Sequence, residues 1–399
     1  MKRIETLDGM RGYFLFFMLI NHMILQGGLW LQNVNLAEVM FVEDAQGFVF
    51  LSGFLIGLIQ TSRMLRYGAV AMRISIWRRA AELYVYAMGV VVVALTLRAL
   101  LPGGFEAYAN WMGPAGTDDH LRDLALALMV FQPTFMDILP MYILFLVVSP
   151  WLVKLVAEGR WPVVITGSLV VWMAAQIGMG ELIGWPLHAA FKASDGQGLR
   201  GSFNPLGWQI VFISGLVGGG LMAKGGIEWK KIFAPEKTAL PIVCLIVVGF
   251  FMPVRFVTAH GMIDYEFLGP FQSMAIRRSF GPVYLLNLAG AGGLLAWLLI
   301  AGPEAKQRWV AAISRGLHAL FRFWPLKIMG RHSLQTYAWH VLLVYGLRYV
   351  DMTWGPLGNL ETVTAALLLI LLLPLPALWR EYRPWIQRKL FPGRLGAHG

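Results

Sequence analysis

The chain has 399 residues, 57% hydrophobic and 14% charged, with a formal net charge of +11. An ordinary soluble domain carries about 25% charged residues, so this composition excludes a soluble globular protein. The positive charge sits beside apolar runs and in no recognisable nucleic-acid module; it points to anionic membrane lipid as a partner and excludes nucleic-acid binding. The single cysteine, Cys244, excludes an internal disulfide and any CxxC redox or zinc pattern.

In chain order, the first apolar run covers 13–31. Asp8 and Arg11 precede it and no small-residue cleavage site follows, so it predicts a retained helix rather than a cleavable signal. On a helix the step from Arg11 to His22 returns almost to the starting direction and rises roughly 17 Å, about half a bilayer. Asp8, one turn earlier, lies within about 60° of that face. An acid, a guanidinium and an imidazole on one helix face are costly in lipid, so the face predicts an inward-turned functional site.

The next run, 44–60, opens with Asp44, whose charge suits the positive end of a helix dipole. The run 80–101 follows Arg78 and Arg79, which serve either as topology signals or as a clamp for the phosphates of an anionic cytoplasmic donor. The stretch 121–131 is too short to cross and ends in Gln132-Pro133, predicting a surface or re-entrant helix. Two further runs open on polar, aromatic-rich segments: Asp137-Ile138-Leu139-Pro140-Met141-Tyr142 leads into 138–157, and after the run 162–180, Phe203-Asn204-Pro205-Leu206-Gly207-Trp208-Gln209 leads into 207–222. Tyr142 and Trp208 are interface anchors or flat surfaces for sugar rings, while Asp137, Asn204 and Gln209 suit the hydroxyls of a polar acceptor. Runs at 238–255 and 281–301 follow, and the glycines of 215–220 and 290–293 predict close helix packing. Arg331-His332-Ser333-Leu334-Gln335-Thr336-Tyr337-Ala338-Trp339-His340 leads into 333–350 and places a second imidazole, His340, inside the membrane. A last run at 359–379 precedes a basic tail, 380–399.

These runs predict an all-α polytopic membrane protein, one domain over 1–399, with about ten transmembrane helices. The Lys and Arg bias of the loops puts the N- and C-termini in the cytoplasm. The remaining histidines are scattered and no H-E-x-x-H is present, so no metal site is expected. An unperturbed histidine titrates near 6.5, so a partly buried neutral His22 suits a general base that takes a proton from an alcohol attacking an activated acyl group. Acyl-CoA is anionic and cytoplasmic, which matches Arg11 near the inner edge. A polar-lined bundle that exports a glycan or acyl donor without transforming it is the alternative.

The segments Leu7-Asp8-Gly9-Met10-Arg11-Gly12 with His22, Asp44 to Gly53, Asp137 to Tyr142, Phe203 to Gln209 and Ser333 to His340 together resemble the OpgC family, succinyltransferases of osmoregulated periplasmic glucans, over nearly the whole chain. Through the Arg11 and His22 spacing the chain is also similar to the wider integral-membrane acyltransferases of the acyltransferase 3 type. The resemblance implies a ten-helix protein of the bacterial inner membrane that esterifies glucose hydroxyls of a periplasmic glucan. Succinyl-CoA, or another short-chain acyl-CoA, is then a co-substrate, with no tightly bound cofactor. It implies His22 as the principal catalytic residue and Arg11 on the donor side. Gln46 stands where a second acid after Asp44 is expected. The resulting site has His22, Asp44 and Asp137 as catalytic residues, and Arg11, Arg78 and Arg79 toward the donor. Asp8, Tyr142, Asn204, Trp208, Gln209 and His340 complete it toward the substrate. The oligomeric state is left open.

Overall fold

The computed structural model describes residues 4–117, 120–199 and 201–390, except the side chains of residues 265 and 384–390. The end of the basic tail, 391–399, lies outside the described residues. Every regular element among them is helical: α1 (Glu5–His22), α2 (Asp44–Leu100), α3 (Gly104–Met112), α4 (His120–Ala127), α5 (Ile138–Ala157), α6 (Trp161–Gln176), α7 (Met179–Asp195), α8 (Pro205–Ala223), α9 (Trp229–Ile232), α10 (Ala239–Ala259), α11 (Pro270–Met274), α12 (Pro282–Ile300), α13 (Arg308–Arg322), α14 (Trp324–Arg331), α15 (Ser333–Thr353), α16 (Asn359–Leu372) and α17 (Leu375–Leu390), with short 3-10 turns between some of them. Six helical segments are long and apolar enough to cross a membrane, and the bent pair of α6 and α7 makes a seventh, so this is a multi-pass membrane protein. The chain divides into two compact units, a smaller one of Met1–Leu29 with Leu317–Gly399 and a larger one of Trp30–Gly316.

In the smaller unit α1 starts eight residues earlier than the apolar run and stops at His22 rather than running on to residue 31. Glu5 and Asp8 fill its first turn, where the helix dipole favours acids. At the other end the Met23 amide bonds back to Leu19 and Ile20, and Gly28 turns the chain with φ 75°. His22 is therefore a helix C-terminal residue, not a mid-helix one, where the negative end of the dipole favours positive charge. Glycines bring α1 against its neighbours: a Cβ on Gly12 would overlap the Leu326 carbonyl, and one on Gly330 would overlap the Asp8 carbonyl. The expected tail from residue 380 onward is helical as far as Leu390, as the end of α17.

In the larger unit the two runs 44–60 and 80–101 belong to one continuous stretch, α2, interrupted at Gly68 with φ 80° and ψ 172°. The stretch folds back there. Gln60 Nε2 donates to Ser75 Oγ at 3.1 Å, whereas a straight helix would hold the two about 22 Å apart. Only glycine adopts that φ without strain, so one residue turns a 57-residue helix into two antiparallel arms. The first arm packs on α8 through reciprocal small residues. Gly53 and Gly57 meet the carbonyls of Phe212 and Leu216, and Gly215 and Gly219 meet those of Phe50 and Phe54, the close approach expected of the 215–220 glycines.

The run 162–180 is bent by 57° between α6 and α7, and α7, which continues to Asp195, was not expected. The short stretch near 121–131 forms only the eight-residue α4. That is six or seven apolar segments against the ten spans expected; the apolar set counts α2 once and leaves out α1 and α15. Those two fall outside the apolar set because their faces carry acids, Arg, His and hydroxyls.

Candidate functional site

The smaller unit brings α1 and α15 side by side in a parallel pair, pinned at three levels. At the first level the Arg11 guanidinium donates to Ser333 Oγ at 2.5 Å. At the second, His22 Nδ1 lies 3.1 Å from His340 Nε2, with ring centroids 5.3 Å apart and planes inclined by 30°. At the third, the Gln26 amide donates to Asp351 Oδ2 at 2.9 Å, fixing the chain just beyond His22. Ser333, His340 and Asp351 recur along α15 close to whole helical turns, so one stripe of it meets one stripe of α1.

The second level sets where protons stand. His340 is fully buried, and its Nδ1 faces the Tyr337 carbonyl at 2.5 Å. A carbonyl only accepts, so the proton sits on His340 Nδ1 and its Nε2 carries a lone pair. His22 Nδ1 must then be the donor across the 3.1 Å contact. That leaves the lone pair of a neutral His22 on Nε2, the atom a general base uses. His340, expected on the substrate side, is thus in direct contact with His22. Asp8 is 5% exposed at the start of α1, and Arg11 is half-buried. Lys327 and Arg331 lie on the Glu5 carboxylate at 3.0 and 4.0 Å, and the Lys327 hydrogen bond holds the Glu5 carboxyl below its ordinary value.

The larger unit carries the other expected residues at separate places. Asp44 is buried at the start of α2, with the Asn35 amide donating to it at 3.3 Å. Arg78 is exposed, and Arg79 is paired with Glu82 at 2.7 Å. Asp137, Asn204 and Trp208 come together around the loop that carries Arg277 to Phe280. The Ser202 amide donates to Asp137 Oδ2 at 2.9 Å, the Asn204 amide to the Arg278 carbonyl at 2.8 Å, and Trp208 Nε1 to the Arg277 carbonyl at 3.2 Å. Burial pushes the Asp137 carboxyl above its ordinary value, against the opposing bonds from Ser202.

Three of the acceptor-side candidates spend their polar atoms on the fold. Asn204 Oδ1 caps α8 at the Leu206 amide, and the Gln209 amide is closed in both directions on Ser168. Trp208 is fully buried between Phe203 and Phe280. Tyr142 packs on Phe212, with centroids 5.7 Å apart.

Ser333 and the Tyr337 carbonyl were not singled out from sequence; only the seven-residue step from Ser333 to His340, two helical turns, hints that both face one side. Among the described residues no cluster of three or more His, Cys, Asp or Glu could hold a metal ion.

No curated protein and no solved structure matches the chain. Residues 3–385 match the family described as OpgC protein, so the chain belongs to that family, which ties it to the synthesis of osmoregulated periplasmic glucans.

Proposed function

We propose that this chain is an O-acyltransferase of the bacterial inner membrane that moves a succinyl group from cytoplasmic succinyl-CoA to glucose hydroxyls of periplasmic glucans. The observation that carries the reading is the His22 and His340 contact at 3.1 Å, with His340 Nδ1 tied to the Tyr337 carbonyl. A base must present its lone pair, and this arrangement selects the His22 tautomer that does so at Nε2.

In the proposed reaction His22 Nε2 takes the proton of a glucose hydroxyl while that oxygen bonds to the thioester carbonyl carbon. The tetrahedral species collapses with cleavage of the carbon–sulfur bond. CoA leaves as the thiol after receiving the proton from His22, and the glucan carries the new ester. The charge that develops on His22 is shared with His340 Nε2 through the existing hydrogen bond, so no rearrangement is needed as the proton moves. A guanidinium carries a positive charge, so Arg11 suits the donor's anionic groups. Its hold on Ser333 fixes its direction. Replacing Arg11 with Ala is expected to raise the donor KM more than it lowers kcat, and Arg11→Lys to restore part of the loss.

The test is purified full-length protein supplied with succinyl-CoA and a glucose oligosaccharide. Free CoA and an oligosaccharide ester in equal amounts are the expected products. Movement of glycan or donor across a vesicle wall with no ester formed would replace this reading with the exporter. Acetyl-CoA in place of succinyl-CoA asks which acyl group is preferred.

A further inference from the structure

The larger unit contains a cavity of about 380 Å³ that the histidine chemistry does not use, lined among others by Trp111, Gln132, Thr134, Asp137, Ser202 and Arg278. Only Asp137 of these six stands out in the sequence as a site residue. From this geometry we infer that the cavity is a saccharide-binding subsite for a neutral glucose unit. The inference rests on the acyltransferase reading only for the identity of the sugar as acceptor.

The lining has the chemistry of hydroxyl recognition. Gln132 donates its amide to the Leu126 carbonyl at 3.2 Å, while its buried Oε1 has no hydrogen-bond partner. A buried amide oxygen left without a donor is costly, and a sugar hydroxyl supplies one. Asp137 adds an acceptor and Thr134 a hydroxyl, and the Trp111 indole adds an apolar wall. A neutral ring fits better than an anion, because a carboxylate lines the space and Arg278 already lies 3.7 Å from Glu181.

The volume is at the small end of the roughly 300–1,000 Å³ of ligand pockets, which suits one sugar unit or a chain end rather than an enclosed polymer. The loop that builds it is held in uncommon backbone shapes. Of the three non-glycine residues with positive φ among the described residues, Met129 at 58° and Phe135 at 68° bracket Gln132. Phe135 also packs edge-on to Trp111, with centroids 5.2 Å apart. Such strain persists where the surroundings enforce it. Arg122 packs on this loop at Phe131, fully buried over the rings of Phe131 and Phe191 and paired with Asp195 at 2.5 Å.

The position agrees with an acceptor from outside. The cavity lies at the N-terminal ends of α5 and α8, while the opposite ends carry Lys154 and Lys224, the side that retains Lys in the cytoplasm.

The experiment measures binding of a neutral glucose tetrasaccharide to the purified full chain, alongside ester formation. Wild-type protein is expected to bind. Gln132→Ala is expected to bind about tenfold more weakly, the loss of one partly buried hydrogen bond. Ser202→Cys, with its own untreated affinity as the reference for this arm, is expected to lose binding once a bulky maleimide is attached after folding. This second arm separates a blocked cavity from a misfolded protein. Maleimide-treated wild type controls for the buried Cys244. Binding by wild type that neither change weakens would overturn the subsite, and so would no binding at all. Tetrasaccharide binding that both changes weaken, in a protein that forms no ester, keeps the subsite and removes the transferase. Ester formation with an unchanged acceptor KM in both variants keeps the transferase and removes the subsite.

Discussion

The two units solve the problem of holding polar groups in an apolar protein in opposite ways. In the smaller one, side chain meets side chain across a helix pair: Arg11 on Ser333, and His22 on His340, partners 318 residues apart in sequence. In the larger one the polar lining is held by the main chain of loops, with the Ser202 amide on Asp137 and the Thr134 hydroxyl on the Trp111 carbonyl. Two facing helices fix a proton's position through rotamers locked by packing, which is what proton transfer needs. A loop-built cavity leaves an acceptor such as the buried Gln132 Oε1 without a donor of its own, which is what reversible binding needs. Chemistry and recognition should therefore fail separately, in rate for the first unit and in affinity for the second.

The sharpest way to break that division is at His22. His22→Ala should leave membrane insertion intact and lower the transfer rate by roughly 10²- to 10⁴-fold, the contribution of a general base. Its effect should fall on kcat, with the acceptor KM little changed. Near-normal turnover in folded His22→Ala protein would take the chemistry away from the smaller unit.

His340 comes next. It is a positioning residue, acting through His22, and its loss should cost roughly 10- to 100-fold, the scale of groups that orient a reacting side chain. A merely structural role would lower activity without moving the pH dependence. The positioning role predicts that His340→Ala also shifts the acidic limb of the pH–rate profile, where the base His22 takes up its proton, because His22 loses the acceptor that selects its tautomer. A lowered rate on an unshifted profile would show that His340 only fills space.

These two residues also show what was legible in the chain. Polar groups within an apolar run are costly wherever they fall, so His22, Arg11 and His340 stood out without any structure. Their pairing did not, because nothing local joins residues on two helices at opposite ends of the sequence. The end of α1 was misplaced since hydropathy alone continues past His22, whereas the turn at Gly28 depends on backbone conformation. Likewise 44–60 and 80–101 stood out as apolar, but the glycine that reverses the chain, Gly68, is one of 44 and carries no mark of its own. The cavity was invisible for another reason: four of the six residues named here are ordinary polar side chains in loops, and only the return of 201–202 and 278 to the 132–137 loop makes them a set.

A smaller effect tests whether packing in the larger unit is rigid enough to hold that loop set. Gly57→Leu drives a side chain into the Leu216 carbonyl, and overpacking of this kind costs about 1–3 kcal/mol. The expected result is a lower unfolding temperature in detergent. An unchanged temperature would mean that α2 and α8 separate easily.

The finest test uses two carboxyls whose shifts have opposite signs, one in each unit. Asp137 stands at the start of α5, outside the apolar run, with its carboxyl raised by burial. A carboxyl raised in the folded protein adds stability that is complete below its unfolded value of about 3.9 and is lost as pH rises through the folded value. Glu5 stands ahead of the first apolar run, half-exposed, with its carboxyl lowered by the Lys327 hydrogen bond. Its contribution is present above the unfolded value of about 4.3 and is lost as pH falls through the folded one. Acidification from neutral should therefore increase the stability of wild type relative to Asp137→Asn and decrease it relative to Glu5→Gln. Added salt should flatten the Glu5 difference, since exposed charges are screened, and leave the Asp137 difference standing, since desolvation is not. Parallel pH trends in the two variants would show that the two units do not hold their carboxyls by the different means assigned to them.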